Sequence, residues 1–203
     1  MRILSIDIGI RNFAYCVVDI ESPQNPLALL GPQVQIIQWE KIDMLEENQS
    51  RAKSAKSIVM SRLYPLVCNT LSRRLYQWKI QQIDKVLVET QIGKSKNAKL
   101  EGMIGMWLHV HFGKFHGVSP HWKLQLGYRD NQFYMYTEQH VASSYEHRKQ
   151  YTVKLIEKWI QIQPQNVQEF FGRFKGRIKS ESKQDDLADC LCQAIAWYLK
   201  NNN

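Results

Sequence analysis

Apolar positions recur with two different periods along the chain, and each change of period marks an element. Ile3–Ile8 is a run of apolar and small residues broken by one acid, Asp7, and a second β-rich run resumes at Phe13–Val18. These runs predict two strands joined by a tight turn at Gly9, a residue free to take backbone angles that others avoid. Residues 21–32 carry three prolines and one glycine and read as a loop. Val34–Trp39 alternates and predicts a third strand, completing an antiparallel meander. From Arg51 to about Gln82 the period becomes helical, with Ile58, Leu63, Leu66, Val67, Leu71, Leu75 and Trp78 on one stripe. Pro65 lies inside that run and predicts a kink or a split. Val86–Glu89 reads as a fourth strand, Leu100–Phe115 as a helix, and Phe133–Thr137 as a fifth strand, with irregular chain over Gly117–Asn131. A further helix places Val153, Ile156, Trp159 and Ile160 on its apolar face and ends at Pro164, and Asp185–Leu199 reads as a closing helix. Three strands, a helix, a strand, a helix, a strand and closing helices predict one α/β domain spanning residues 1–203.

Acids interrupt this pattern at three places where burial would make them costly. Asp7 sits in the first strand, Glu89 ends the fourth, and Asp185, Asp186 and Asp189 open the last helix. An unpaired carboxylate in a buried strand costs several kcal/mol or changes its protonation, so Asp7 is either a strand-end acid capping a turn or a ligand or catalytic group. Asp186 and Asp189 are three apart and Asp185 and Asp189 four apart, so either pair shares a helix face. Acids from two strands and one helix form the donor set that a hard divalent cation takes.

Hydrophobic residues at 44% and charged residues at 23% are ordinary for a globular domain. No apolar run approaches the roughly 18 residues of a membrane span, the first apolar run is too short for a signal peptide, and no transit peptide is visible. The formal net charge of +8 favours an anionic partner, nucleic acid first. Basic residues gather at Lys94, Lys96 and Lys99, directly after Glu89, at His147, Arg148, Lys149, Lys154 and Lys158, and at Arg173, Lys175 and Arg177 among phenylalanines. The first group suits phosphate contacts. The last could grip and stack on nucleic acid, or be a linker whose phenylalanines pack on the core. On the long helix Lys53, Lys56, Arg62, Arg73 and Arg74 read as a solvated face. Cys16, Cys68, Cys190 and Cys192 lack zinc spacing and read as buried thiols of a reducing compartment.

The segment Ser5-Ile6-Asp7-Ile8-Gly9-Ile10-Arg11-Asn12-Phe13-Ala14-Tyr15-Cys16 resembles the opening of the fungal mitochondrial Holliday-junction resolvases. These are RuvC-like nucleases of the ribonuclease H superfamily. Val88-Glu89-Thr90-Gln91 resembles their second acidic motif and Lys183-Gln184-Asp185-Asp186-Leu187-Ala188-Asp189 their third; the poxvirus resolvases are similar but more distant. The resemblance implies a ribonuclease H-like fold, a central mixed five-stranded sheet flanked by helices. It implies a catalytic set of Asp7, Glu89, Asp186 and Asp189, with Asp185 able to replace Asp186, holding two Mg2+ or Mn2+ ions. It further implies a homodimer that nicks a four-way DNA junction symmetrically, in mitochondria for a fungal-type protein or at viral DNA replication sites for a virus-encoded one. Met103, Ile104, Trp107 and Leu108 are the candidate dimer interface, with burial in the monomer core as the rival reading. The other functional readings are a ribonuclease H-like enzyme on RNA–DNA hybrids and a junction binder with a dead site.

Overall fold

The computed structural model describes residues 1–21, 33–50, 57–91, 93, 95–138, 144–163, 168 and 185–202. Its centre is a mixed sheet of five strands: β1 (Arg2–Asp7), β2 (Phe13–Glu21), β3 (Gln33–Ile42), β4 (Lys85–Glu89) and β5 (His116–Val118), in the order β3-β2-β1-β4-β5. The meander β1-β2-β3 is antiparallel, whereas β4 and β5 run parallel to β1. Gly9 is required in the β1–β2 turn by space, because a Cβ there would lie 2.7 Å from the Asn12 carbonyl oxygen. Side chains alternate across the sheet. Ile3, Ala14, Cys16, Val18 and Leu87 face one layer, and Leu4, Ile6, Tyr15, Val17, Val86 and Val88 face the other.

The second layer consists of α1 (Met44–Glu47), α2 (Met60–Ile80) and α3 (Lys96–Phe112). Helix α2 runs unbroken through Pro65, so the predicted split does not occur; the backbone bond that proline cannot make falls near the helix start. The residues expected to begin this helix, 51–56, lie outside the described residues. Helix α3 starts four residues before the expected Leu100. Ser95 caps it by accepting from the Ala98 N–H, which turns most of the expected basic loop into a first helical turn. Gly105 admits the Phe115 ring at a distance that any Cβ would block.

The first layer holds α4 (Tyr145–Gln161), α5 (Asp185–Asn202), and a hairpin of β6 (Leu126–Arg129) and β7 (Gln132–Met135). The segment expected to be the fifth strand of the main sheet is β7 of this separate hairpin. The true fifth strand, β5, lies in chain read as irregular. It is only three residues long, too short to display a period. Asp130 and Asn131 both take positive φ, the two-residue turn that matches strand twist. Helix α5 is buried on nearly every side and packs against β1, β2, β3 and α4. Trp39 Nε1 donates to the Leu187 carbonyl at 2.8 Å and ties the helix start to β3. Cys16, Cys190 and Cys192 are buried free thiols, while Cys68 is half-buried, against the expectation for it. No described helix is long and apolar enough to cross a membrane.

Candidate active site

The parallel pairing of β1 with β4 ends at Ile6–Val88. Asp7 and Glu89 are the next residues on each strand, so both carboxylates emerge side by side at the carboxyl ends of adjacent strands, where α/β sheets bind ligands. Helix α5 crosses this end with Asp185, Asp186 and Asp189 in its first turns. Asp7, Glu89 and Asp189 converge, each offering an oxygen within 4.8 Å of the others. Asp185 and Asp186 line the same cavity, of about 400 Å³, together with Lys123, His121, Asn97, Arg148 and Lys149. Its floor is held from below: Gln193 Nε2 donates to the Ile6 carbonyl at 3.5 Å, and Asn97 Nδ2 to the Ile8 carbonyl at 3.2 Å.

Lys123, on the short 3-10 helix Trp122–Gln125, supplies a charge that the sequence reading missed. Its ammonium lies 2.7 Å from Glu89 Oε2 and 2.5 Å from Asp189 Oδ2. Burial alone would lower its pKa, but Asp189, Glu89 and Asp7 outweigh that and hold it above the usual lysine range. Burial, then repulsion from Glu89, pushes Asp7 well above the usual carboxylate range. Glu89 is raised as well, by burial first and against the pull of Lys123. Asp186 is pushed up to about 6, by burial and then by Asp185. Its Oδ2 is buried without a hydrogen-bond partner among the described residues, and Lys41 approaches only to 3.8 Å. Asp185 is instead taken by Lys149 of α4. On the far side of Asp189, Thr152 Oγ1 donates to Oδ1 at 2.6 Å.

The donor set fits divalent metal. Three half-buried carboxylates from separate elements converge, a lysine ammonium already sits between two of them, and nearby a buried oxygen of a fourth acid accepts no hydrogen bond among the described residues. Of the two adjacent acids that sequence could not separate, Asp185 is engaged closely by Lys149, and Asp186 has only the longer ion pair with Lys41 and an oxygen that accepts no hydrogen bond among the described residues. Neither joins the tight triad of Asp7, Glu89 and Asp189.

The expected basic contacts divide. Arg148 and Lys149 line the cavity. Lys96 turns away and donates to the Ile58 carbonyl at 2.6 Å, holding α3 to the chain before α2. Lys99 is exposed on α3, and Lys94, Arg173, Lys175 and Arg177 lie outside the described residues. Of the face expected to be solvated, Arg73 is exposed, whereas Arg74 is half-buried; both pair with Glu47, and Lys53 and Lys56 lie outside the described residues. A lone lysine in a stretch without period has no local signature, so Lys123 was invisible in sequence. Thr152 could have been found. With Leu155, Ile156 and Trp159 it occupies the buried stripe of α4, one residue round from the expected stripe, and is the polar member of it.

The Poxvirus A22 protein family matches residues 1–201 of the chain. No curated protein matches. Among solved structures the fold is similar to that of the fowlpox virus resolvase in complex with substrate Holliday junction DNA, with a TM-score of 0.60, 19% identity and 100% of both chains covered. It is also similar to RuvC from Thermus thermophilus, with a TM-score of 0.53, 16% identity, 98% of this chain and 96% of that one. The yeast mitochondrial Holliday junction resolvase is similar with a TM-score of 0.54, 18% identity, 98% of this chain and 83% of that one.

Proposed function

The chain belongs to the Poxvirus A22 protein family, and from that premise we propose that it is a structure-selective endonuclease that resolves four-way DNA junctions by paired symmetric nicks. The observation that carries this reading is the convergence of Asp7, Glu89 and Asp189 beside Lys123 in a cavity rimmed by Arg148 and Lys149. Asp7, Glu89 and Asp189, with Asp186 beside them, hold two Mg2+ or Mn2+ ions. Metal bound there supplies activation of the attacking water and stabilisation of the leaving oxygen of the phosphodiester. Lys123 orients Glu89 and Asp189 and places positive charge where the scissile phosphate enters. Arg148, Lys149, Lys99, Lys94 and the basic residues Arg173, Lys175 and Arg177 contact phosphates, for which the net charge of +8 is suited.

Two cuts in one junction require two sites, and a two-fold homodimer supplies them. Ile104 and Leu108 belong to the monomer core, which removes them from the expected interface. The outer face of α3 keeps Met106 at 72% and Val110 at 73% exposure, next to half-buried Met103 and Trp107, and is the interface favoured here. The poxvirus family supports a virus-encoded protein over a mitochondrial one. The test offers a labelled four-way junction, a plain duplex and an RNA–DNA hybrid with Mg2+ or with EDTA, alongside sedimentation at micromolar concentration. Symmetric, metal-dependent nicking of the junction by a dimer is expected. Preference for the hybrid would convert the assignment to a hybrid-cutting nuclease, and tight junction binding without cleavage would leave a binder with a dead site.

A further inference from the structure

We propose that Thr152 is a positioning residue of the metal centre: its hydroxyl locks the Asp189 carboxylate by Oδ1 and leaves Oδ2 turned towards Glu89. The inference rests on the nuclease reading above and concerns a side chain outside the acidic triad. Thr152 is fully buried on α4, and Oγ1 stands 2.6 Å from Asp189 Oδ1. A buried helical threonine ordinarily spends its hydroxyl on a carbonyl one turn back. Here that carbonyl, of Lys149, is 3.4 Å away. The hydroxyl has a single hydrogen, and the much shorter contact takes it.

The consequence is an assignment of the two carboxylate oxygens. Oδ1 accepts from Thr152, whereas Oδ2 accepts from the same Lys123 ammonium that touches Glu89 Oε2. Asp189 is therefore oriented from behind by α4, so that one defined oxygen faces the other acids. One turn earlier on α4, Lys149 engages Asp185, so α4 holds the first turns of α5 at two points. Without the hydroxyl, Oδ1 loses its donor and the carboxylate is held through Oδ2 by Lys123 alone, which weakens the preorganisation of the donor set.

The experiment compares Thr152→Val, Thr152→Ala and Thr152→Ser in the full chain. Valine keeps the branched shape and loses only the hydroxyl; alanine repeats that loss should valine fail to fold; serine keeps the hydroxyl. Mn2+ binding is measured by calorimetry without DNA, and kcat and KM for a labelled junction separately. The hydroxyl-free variants are expected to bind Mn2+ about 10-fold or more weakly, with a lower kcat, KM for the junction within about twofold of wild type, and near wild-type affinity for Mn2+ in Thr152→Ser. Mn2+ affinity unchanged in the hydroxyl-free variants would overturn the proposal. So would a serine variant as impaired as alanine, because the methyl packing would then be what matters. If wild type binds Mn2+ but cuts no junction, the substrate reading fails and calorimetry still decides the role of Thr152. If wild type binds no Mn2+, both fall.

Discussion

Two charged clusters lie on opposite faces of the sheet and are built on opposite rules. Under α2, Arg11 pairs with Asp43 at 2.8 Å, Arg74 with Glu47 at 2.8 Å and with Glu40 at 3.7 Å, and Arg73 with Glu47 at 3.9 Å. Acids and bases balance there, and each guanidinium also ties one element to the next. At the ends of β1 and β4 the acids are in excess. Asp7, Glu89, Asp185, Asp186 and Asp189 share Lys41, Lys123 and Lys149. A cluster that only stabilised the fold would not bury unbalanced like charge, because desolvation and repulsion both raise its free energy. The contrast separates a balanced network from an acid-rich cluster whose donor set fits divalent cations.

The largest test of that contrast is Asp7→Asn. Cleavage should fall by at least about 100-fold, because the amide keeps the shape and loses the metal ligand, while junction binding stays nearly intact. The metal-free variant should melt higher than wild type, by about 2–4 °C for each kcal/mol of repulsion removed. A variant that cuts at a tenth of the normal rate would remove Asp7 from the metal site. Lys123→Met should act in the reverse sense on stability. Stripping a buried acid cluster of its central cation should cost about 3 kcal/mol, and added Mg2+ should restore most of it; differential scanning fluorimetry with and without Mg2+ reads both. Arg74→Leu in the balanced cluster should cost about 1–2 kcal/mol with no response to Mg2+, and a metal-dependent loss there would erase the distinction between the two faces.

The smallest effect is on pH. Asp186, held near 6 by burial and then by Asp185, binds its proton more tightly folded than unfolded. Its contribution to stability is therefore complete below the ordinary aspartate range of about 4 and is lost as pH rises through about 6. The metal-free protein should lose stability over that window relative to Asp186→Asn, and saturating Mg2+ should flatten the difference. Parallel melting curves of wild type and variant between pH 4 and pH 7 would refute this placement of Asp186.

Much of this was legible in the chain. The runs around Asp7 and Glu89 are β-rich, and each acid stands where a buried strand should carry none. The acids that open α5 were legible as pairs sharing one helix face, whereas the burial of that helix on nearly every side came from the structure. The edges were harder. β5 is three residues long and offers no period to read, so the longer aromatic run of β7 reads as the fifth strand of the main sheet in its place. Ser95 caps α3 through local chemistry that the Lys-rich composition of the segment concealed.

Sequence alone determined which residues are acids in apolar surroundings, and hence that something must compensate them, because the cost of burying charge depends on the element's own pattern. Which groups do so was decided only by the tertiary fold. Lys123 reaches Glu89 and Asp189 across 34 and 66 residues of chain, and Thr152 reaches Asp189 across 37. Asp185 and Asp186, neighbours in sequence, diverge because helical geometry turns adjacent side chains about 100° apart, one towards Lys149 and the other towards Lys41. Contacts at such separations depend on how helices pack on a sheet, and no local period encodes them.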